Sequence, residues 1–112
     1  MSTPLVIVET PYAARVALNT EYARACMLDS LRRGEAPFLS HLLYTQVLDD
    51  TDKTERMVGI LAGLAWGKHA HLTAVYCDLG ISPGMVHGIR KATAEGRPIE
   101  RRRLYPAKEI DV

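Results

Sequence analysis

Leu72-Thr73-Ala74-Val75-Tyr76-Cys77-Asp78-Leu79-Gly80-Ile81-Ser82-Pro83-Gly84-Met85 passes from a strand pattern through a turn into a helix start. The run from Leu72 to Cys77 is mostly apolar and stops at Asp78, which predicts a strand inside a sheet. Ser82 is a favoured N-cap, and Pro83 at the first helical position wastes no backbone donor. Met85, Ile89 and Ala92 then share one helix face, and Gly96 ends the helix. A strand feeding a capped helix in this way predicts one unit of an alternating α/β chain.

The flanking sequence repeats the pattern. Leu5-Val6-Ile7-Val8 is a continuous apolar run ending at Glu9-Thr10-Pro11, as expected of a strand covered on both faces. Asn19 to Arg33 carries Ala23, Cys26, Met27 and Leu31 at helical spacing, with Gly34 placed for a left-handed cap. Ala36-Pro37-Phe38-Leu39 is a weaker strand, since Pro37 must lie at its start or on an edge. Asp52 and Glu55 have capping-box spacing ahead of Met57, Ile60, Leu61, Leu64 and Ala65, which repeat on one face until Gly67 closes the helix. A last short strand is expected around Pro98 to Arg103.

The order β-α-β-α-β-α-β calls for right-handed crossovers. It predicts an α/β fold: a four-stranded, mostly parallel sheet in the order 2-1-3-4, with helices on both faces. The topological switch then falls between the first and third strands, and ligands in such sheets bind beyond the carboxyl ends of the strands beside it.

With 112 residues, 47% apolar and 24% charged, the chain has the composition of one globular domain spanning 1–112. The net charge of +1 removes the electrostatic argument for a nucleic-acid partner. The longest apolar run, Leu61 to Trp66, is too short to span a bilayer, and Met1-Ser2-Thr3-Pro4 carries no basic leader, so a cytoplasmic location is expected. Cys26 and Cys77 are far apart and form no CxxC, which reads as two small buried hydrophobes. Lys68-His69-Ala70-His71 lies before the third strand, away from the switch and without a third ligand nearby, so no metal is expected there, nor any cofactor. Arg101-Arg102-Arg103 reads as charge that blunts a sheet edge.

Candidate ligand-binding residues come from the loops at the switch. Gly80 and Gly84 allow close backbone approach, and Ile81, Ser82 and Met85 open a helix whose first amides favour an anion such as phosphate. Across the switch, Thr10-Pro11-Tyr12 offers a ring to stack on a base, and Arg15 a charge to pair with phosphate. Ser40 and His41 follow the second strand at the same edge, and His87 in the third helix is placed to face it. Asp78 is the candidate carboxylate closest to the loop; Asp49-Asp50 would serve ribose hydroxyls or the dipole of the helix that follows.

Together these landmarks resemble the nucleoside 2-deoxyribosyltransferase-like superfamily. The carrying residues are the apolar first strand entering Thr10-Pro11-Tyr12 and the glycine-containing loop feeding the third helix. More closely, the chain is similar to a small domain of phage and bacterial genomes. That likeness rests on Ala36 to Thr45, Gly63-Leu64-Ala65-Trp66, Tyr76 to Met85, Gly88-Ile89 and Gly96-Arg97-Pro98-Ile99-Glu100. The resemblance implies a small Rossmann-like three-layer fold with a nucleoside or nucleotide pocket at the carboxyl edge, and homo-oligomers. It also implies an N-glycosidic cleavage in which a Glu of the helix after the loop attacks the anomeric carbon. In this chain the corresponding position is Gly88, and no carboxylate occurs between Asp78 and Glu95.

The leading expectation is therefore a binding protein that holds a nucleoside or nucleotide without chemistry, as in sensing or phage-type sequestration of a nucleotide signal. The first alternative is an N-glycosidic hydrolase or deoxyribosyltransferase that recruits Asp78, Asp49 or Glu9. The second is an interaction protein with a vestigial pocket. A homo-oligomer is expected, with Trp66 and Tyr105 as candidate interface residues.

Overall fold

A computed structural model describes residues 2–105. Strands β1 (Leu5–Glu9), β2 (Ala36–Phe38), β3 (Leu72–Tyr76) and β4 (Ile99–Arg102) form one all-parallel sheet in the order β2-β1-β3-β4. Helices α1 (Val16–Arg32), α2 (Ser40–Leu43), α3 (Lys53–Gly67) and α4 (Pro83–Ala94) connect them. Among the described residues no helix is long and apolar enough to cross a membrane. The α/β architecture and strand order follow the alternation of the sequence. The single turn of α2 and the 3-10 turn Tyr44–Gln46 behind it are additions that no periodicity announces.

Strand parity sorts the side chains between layers, because alternate residues face opposite sides of the sheet. Val6, Val8, Ala74 and Tyr76 join Tyr22, Ala23 and Cys26 of α1 in the main core. Ile7 and Glu9 therefore point to the other side, where α3 and α4 lie. Burying such a core stabilises the fold by roughly 25 cal/mol for each Å² of apolar surface removed from water.

The glycine punctuation is real at two helix ends. Gly34 (φ +83°) donates to the Leu31 carbonyl while Glu35 donates to that of Ser30; Gly96 (φ +67°) and Arg97 repeat the arrangement on Thr93 and Ala92. Both are left-handed caps that satisfy carbonyls at the helix end. Gly67 is different. It is the last residue of α3 but no left-handed cap, and the Arg97 guanidinium lies where its side chain would be, 3.1 Å from an added Cβ.

Three expectations need correction. The inner face of α3 is Ile60, Gly63, Leu64 and Gly67, whereas Met57 and Leu61 are exposed and Ala65 lies at the surface. The apolar stripe is broader than the buried one, and glycines rather than bulky residues allow the approach: a Cβ on Gly63 would lie 2.7 Å from that of Ser40. Arg102 does not blunt an edge. Its side chain is buried, bonded to both Glu35 oxygens (2.7 and 2.6 Å) and to Glu100, with its guanidinium 5.7 Å from the Tyr76 ring centre. Cys26 is buried as expected, but Cys77 is half-buried.

Other side readings resolve into structure. His71 accepts from the Leu5 backbone N–H through Nδ1 (2.9 Å), tying β1 to the turn before β3 at the amino end of the sheet. Among the described residues no group of three or more His, Cys, Asp or Glu could hold a metal ion. Trp66 remains half-exposed, stacks at a tilt on Phe38 (5.6 Å) and donates to the Tyr44 hydroxyl (2.8 Å).

Candidate functional site

At the carboxyl ends of β1 and β3 the sheet opens into a cleft of about 470 Å³. Its walls come from four places: the β1–α1 loop, the start of α2, the first turns of α3 with the residue Asp50 before them, and the mouth of α4. Thr10, Tyr12, Ser40, His41, Ser82, Gly84 and Met85 all line it, so the structure brings these sequence-selected residues together. Arg15, Gly80, Ile81 and Asp78 lie outside its lining, as does Pro11, which is buried. Arg15 instead flanks the first turn of α1 as an exposed N-cap.

The β1–α1 loop is held from below. Buried Asn19 donates through Nδ2 to the carbonyls of Tyr12 (2.9 Å) and Ala13 (3.1 Å). Between them and the helix, Ala14 adopts φ +75°, a left-handed conformation that L side chains rarely accept. Thr10 Oγ1 and His41 Nε2 share a hydrogen bond of 2.6 Å, and Tyr12 meets the His41 ring edge-on at 5.7 Å. Burial lowers the His41 pKa to about 4, so the imidazole is neutral at neutral pH.

The mouth of α4 offers less to an anion than its sequence suggests. Pro83 has no N–H, Ser82 Oγ accepts from Met85 N–H (3.3 Å), and Val86 N–H bonds the Ser82 carbonyl. That leaves Gly84 N–H as the amide of this first turn without a partner among the described residues. The positive component is reinforced from α3. Arg56 lines the same cleft, its Nη2 3.9 Å from where a Gly84 Cβ would be, with no ion-pair partner among the described residues. Arg56 escaped the sequence reading because it sits within a helix. One signal was present: a cation near a helix N-terminus opposes the dipole, so it needs another reason to be there.

Glu9 forms the floor. Glu9 also lines a smaller cavity of about 60 Å³, together with Arg97, His87 and the inner face of α3. Gly88 makes this possible, since the carboxyl occupies the volume a side chain at position 88 would fill; an added Cβ would meet Oε1 at 2.8 Å and Oε2 closer still. Among the described residues no donor bonds the Glu9 carboxyl. Arg97 nearby is engaged with Thr73 Oγ1, the Gly67 carbonyl and Glu95. Burial raises the Glu9 pKa to about 8, against the opposing pull of the Arg97 charge.

Asp78 has a different occupation. It accepts from the Tyr22 hydroxyl (2.6 Å) and from the backbone N–H groups of Leu104 (2.9 Å) and Tyr105 (3.1 Å). Burial opposes its ionisation, but these donors hold its carboxyl below the ordinary range. Asp49 is likewise spent locally, on the N–H and hydroxyl of Thr51. Asp52, rather than Asp49 or Asp50, caps α3, accepting from Thr54 and Glu55 N–H, while Glu55 reaches back to Asp49 N–H instead of completing a box on Asp52.

The arrangement can hold a molecule with an aromatic part beside Tyr12, an anionic part beside Arg56 and Gly84, and a hydrogen-bonding part over Glu9. No curated protein matches the chain. The family pattern of DUF7768, a domain of unknown function, matches residues 4–102, and the chain belongs to that family.

Proposed function

We propose that the chain is a nucleoside 2-deoxyribosyltransferase-like domain that binds a nucleoside or nucleotide in the cleft beyond β1 and β3. The observation that carries this reading is the opposition, across one cleft, of Tyr12 on the β1–α1 loop and the Arg56 guanidinium facing Gly84 at the mouth of α4. An aromatic ring suits a base, and a guanidinium beside a free amide suits a phosphate. The volume of about 470 Å³ falls within the range of small-molecule sites. Association with a second copy belongs to the same reading, supported by the exposed Met57, Val58 and Leu61 on α3.

Thermal shift and calorimetry against nucleosides and their 5′-monophosphates test it. Ligand binding to the folded state raises the melting temperature. Arg56→Ala should weaken monophosphates about tenfold or more while leaving nucleosides nearly unaffected, given typical charged hydrogen-bond strengths. The reading fails if no nucleoside or nucleotide shifts the transition.

Cleavage of the N-glycosidic bond is a second reading, favoured by the open Glu9 carboxyl on the cleft floor. Chromatography for free base released above a heat-inactivated control decides it.

A further inference from the structure

Asn19 is buried in the first turn of α1, yet its side chain serves the loop before the helix. Its Nδ2 donates to the carbonyls of both Tyr12 (2.9 Å) and Ala13 (3.1 Å). Successive carbonyls of an extended chain point in opposite directions, so two of them meeting one amide require the backbone to bend. The bend is at Ala14. Arg15 N–H bonds the Ala13 carbonyl (3.0 Å) across this single residue, whose φ is +75°. A three-residue turn of that hand is the rare and strained form. Glycine takes such a backbone freely, but the chain has alanine there. Strain of this kind persists only where the surroundings over-determine it, and it concentrates at ligand sites.

The same loop is also fixed through a ring. Tyr12 meets His41 edge-on at 5.7 Å, and His41 Nε2 is tied to Thr10 Oγ1 at 2.6 Å. Tyr12 is thereby held twice, at its carbonyl by α1 and at its ring by α2. Tyr12, Ala14 and His41 line the cleft, whereas Asn19 lies outside its lining. Nor does Asn19 cap α1: the unpartnered groups at a helix N-terminus are N–H donors, which a donating amide does not satisfy.

We infer that Asn19 is a positioning residue of the cleft, holding Ala14 in the strained turn so that the Tyr12 ring stands ready for a base before any ligand arrives. This role rests on the nucleoside or nucleotide reading of the cleft and names what sets its aromatic wall. The benefit is entropic. A side chain ordered only on binding subtracts its lost freedom from the affinity, and one ordered in advance does not. The cost moves into folding, where two hydrogen bonds from a buried amide offset the strain. Without that amide Ala14 relaxes to negative φ, the Tyr12 carbonyl turns away and the ring leaves His41. Glycine at position 14 removes the drive to relax.

The whole chain and its Asn19→Ala, Ala14→Gly and double variants test the role by two measurements. The first, without ligand, is the NMR contact between the Tyr12 and His41 ring protons. The second is calorimetric titration with AMP, CMP, GMP and UMP. Asn19→Ala should lose the ring contact and bind the nucleotides about tenfold more weakly, the scale of a side chain and loop that must be ordered on binding. Ala14→Gly alone should keep both properties, and the double variant should recover the contact and part of the affinity. That recovery separates positioning from general support of the fold, which glycine at position 14 would not restore. If Asn19→Ala does not fold in a thermal melt, Asn19→Asp, which keeps the shape and loses both donors, is read by the same criteria. An Asn19 variant that keeps the ring contact, or binds as tightly as the unmodified chain, overturns the inference and leaves nucleotide binding intact. A double variant as weak as Asn19→Ala overturns it too. If none of the four nucleotides binds the unmodified chain, the nucleotide reading fails, and the ligand-free ring contact alone decides whether Asn19 sets Tyr12.

Discussion

The Glu9 carboxyl and the bare backbone of Gly88 share one volume: β1 supplies the side chain and α4 supplies the room. Strand parity turns Glu9 toward α4, and helix periodicity turns position 88 toward the sheet together with Met85 and Ala92. Neither residue has this arrangement without the other.

Gly88→Ala is therefore expected to destabilise the fold by about 1–3 kcal/mol, the usual scale of overpacking. In a Glu9→Ala background the same change should cost much less. Denaturant unfolding of the two single variants and the double variant measures the coupling, and simple additivity would contradict the shared volume.

Glu9 makes stability fall with rising pH. Its carboxyl has an ordinary value of 4.5 and a folded value of about 8. The contribution from the protonated folded form is fully present below pH 4.5 and lost as pH rises through 8. Thermal melts should show Glu9→Gln gaining on the unmodified chain from pH 5 to 8 and levelling off above 9. A gap that stays constant with pH would count against this.

His41 acts in the opposite direction. Its pKa falls from 6.5 to about 4 because burial penalises the charged ring. Its contribution is present above pH 6.5 and lost as pH falls through 4. His41→Gln should flatten the acid side of the stability profile. Because the Thr10 hydrogen bond changes partner, the variant should also loosen the β1–α1 loop, which hydrogen exchange of that loop would detect.

Arg102→Ala should be strongly destabilising, by about 3–5 kcal/mol, because it leaves Glu35 with an uncompensated charge in a largely buried position. Glu35→Gln, which keeps an acceptor for the guanidinium, should cost less. Chemical denaturation of both variants gives the comparison, and equal costs would argue that packing rather than charge dominates.

Asp78→Asn is expected to lower stability by roughly 1–3 kcal/mol through weaker bonds to Tyr22 and the Leu104 and Tyr105 amides. Ligand affinity should not change, since Asp78 is outside the cleft lining. Calorimetry on the variant checks the second half, and a large loss of affinity would move Asp78 back into the site.

How far the site could be read in advance depended on the range of the interactions involved. Ser82, Tyr12 and His41 were legible because each follows a strand end, and strand ends in a 2-1-3-4 parallel sheet converge on one edge. Arg56 was not, because a residue inside a helix faces the cleft only through the angle at which α3 crosses the sheet. The loss of free amides at the α4 mouth was partly legible: Pro83 announces one missing donor, but the use of Ser82 Oγ on Met85 N–H is a matter of rotamer.

Local chemistry determined the strands, the capped helices and the left-handed turns at Gly34 and Gly96, since each rests on propensities acting over a few residues, and the alternation of these elements with the handedness of their crossovers gave the strand order. Tertiary structure alone decided which carboxyl faces the cleft and which helix face is buried. Those outcomes depend on whether Glu9 meets Gly88, Asp78 meets Tyr22 and Arg102 meets Glu35, pairs far apart in the chain. Contacts of that kind arise from packing geometry, which no short stretch of residues encodes.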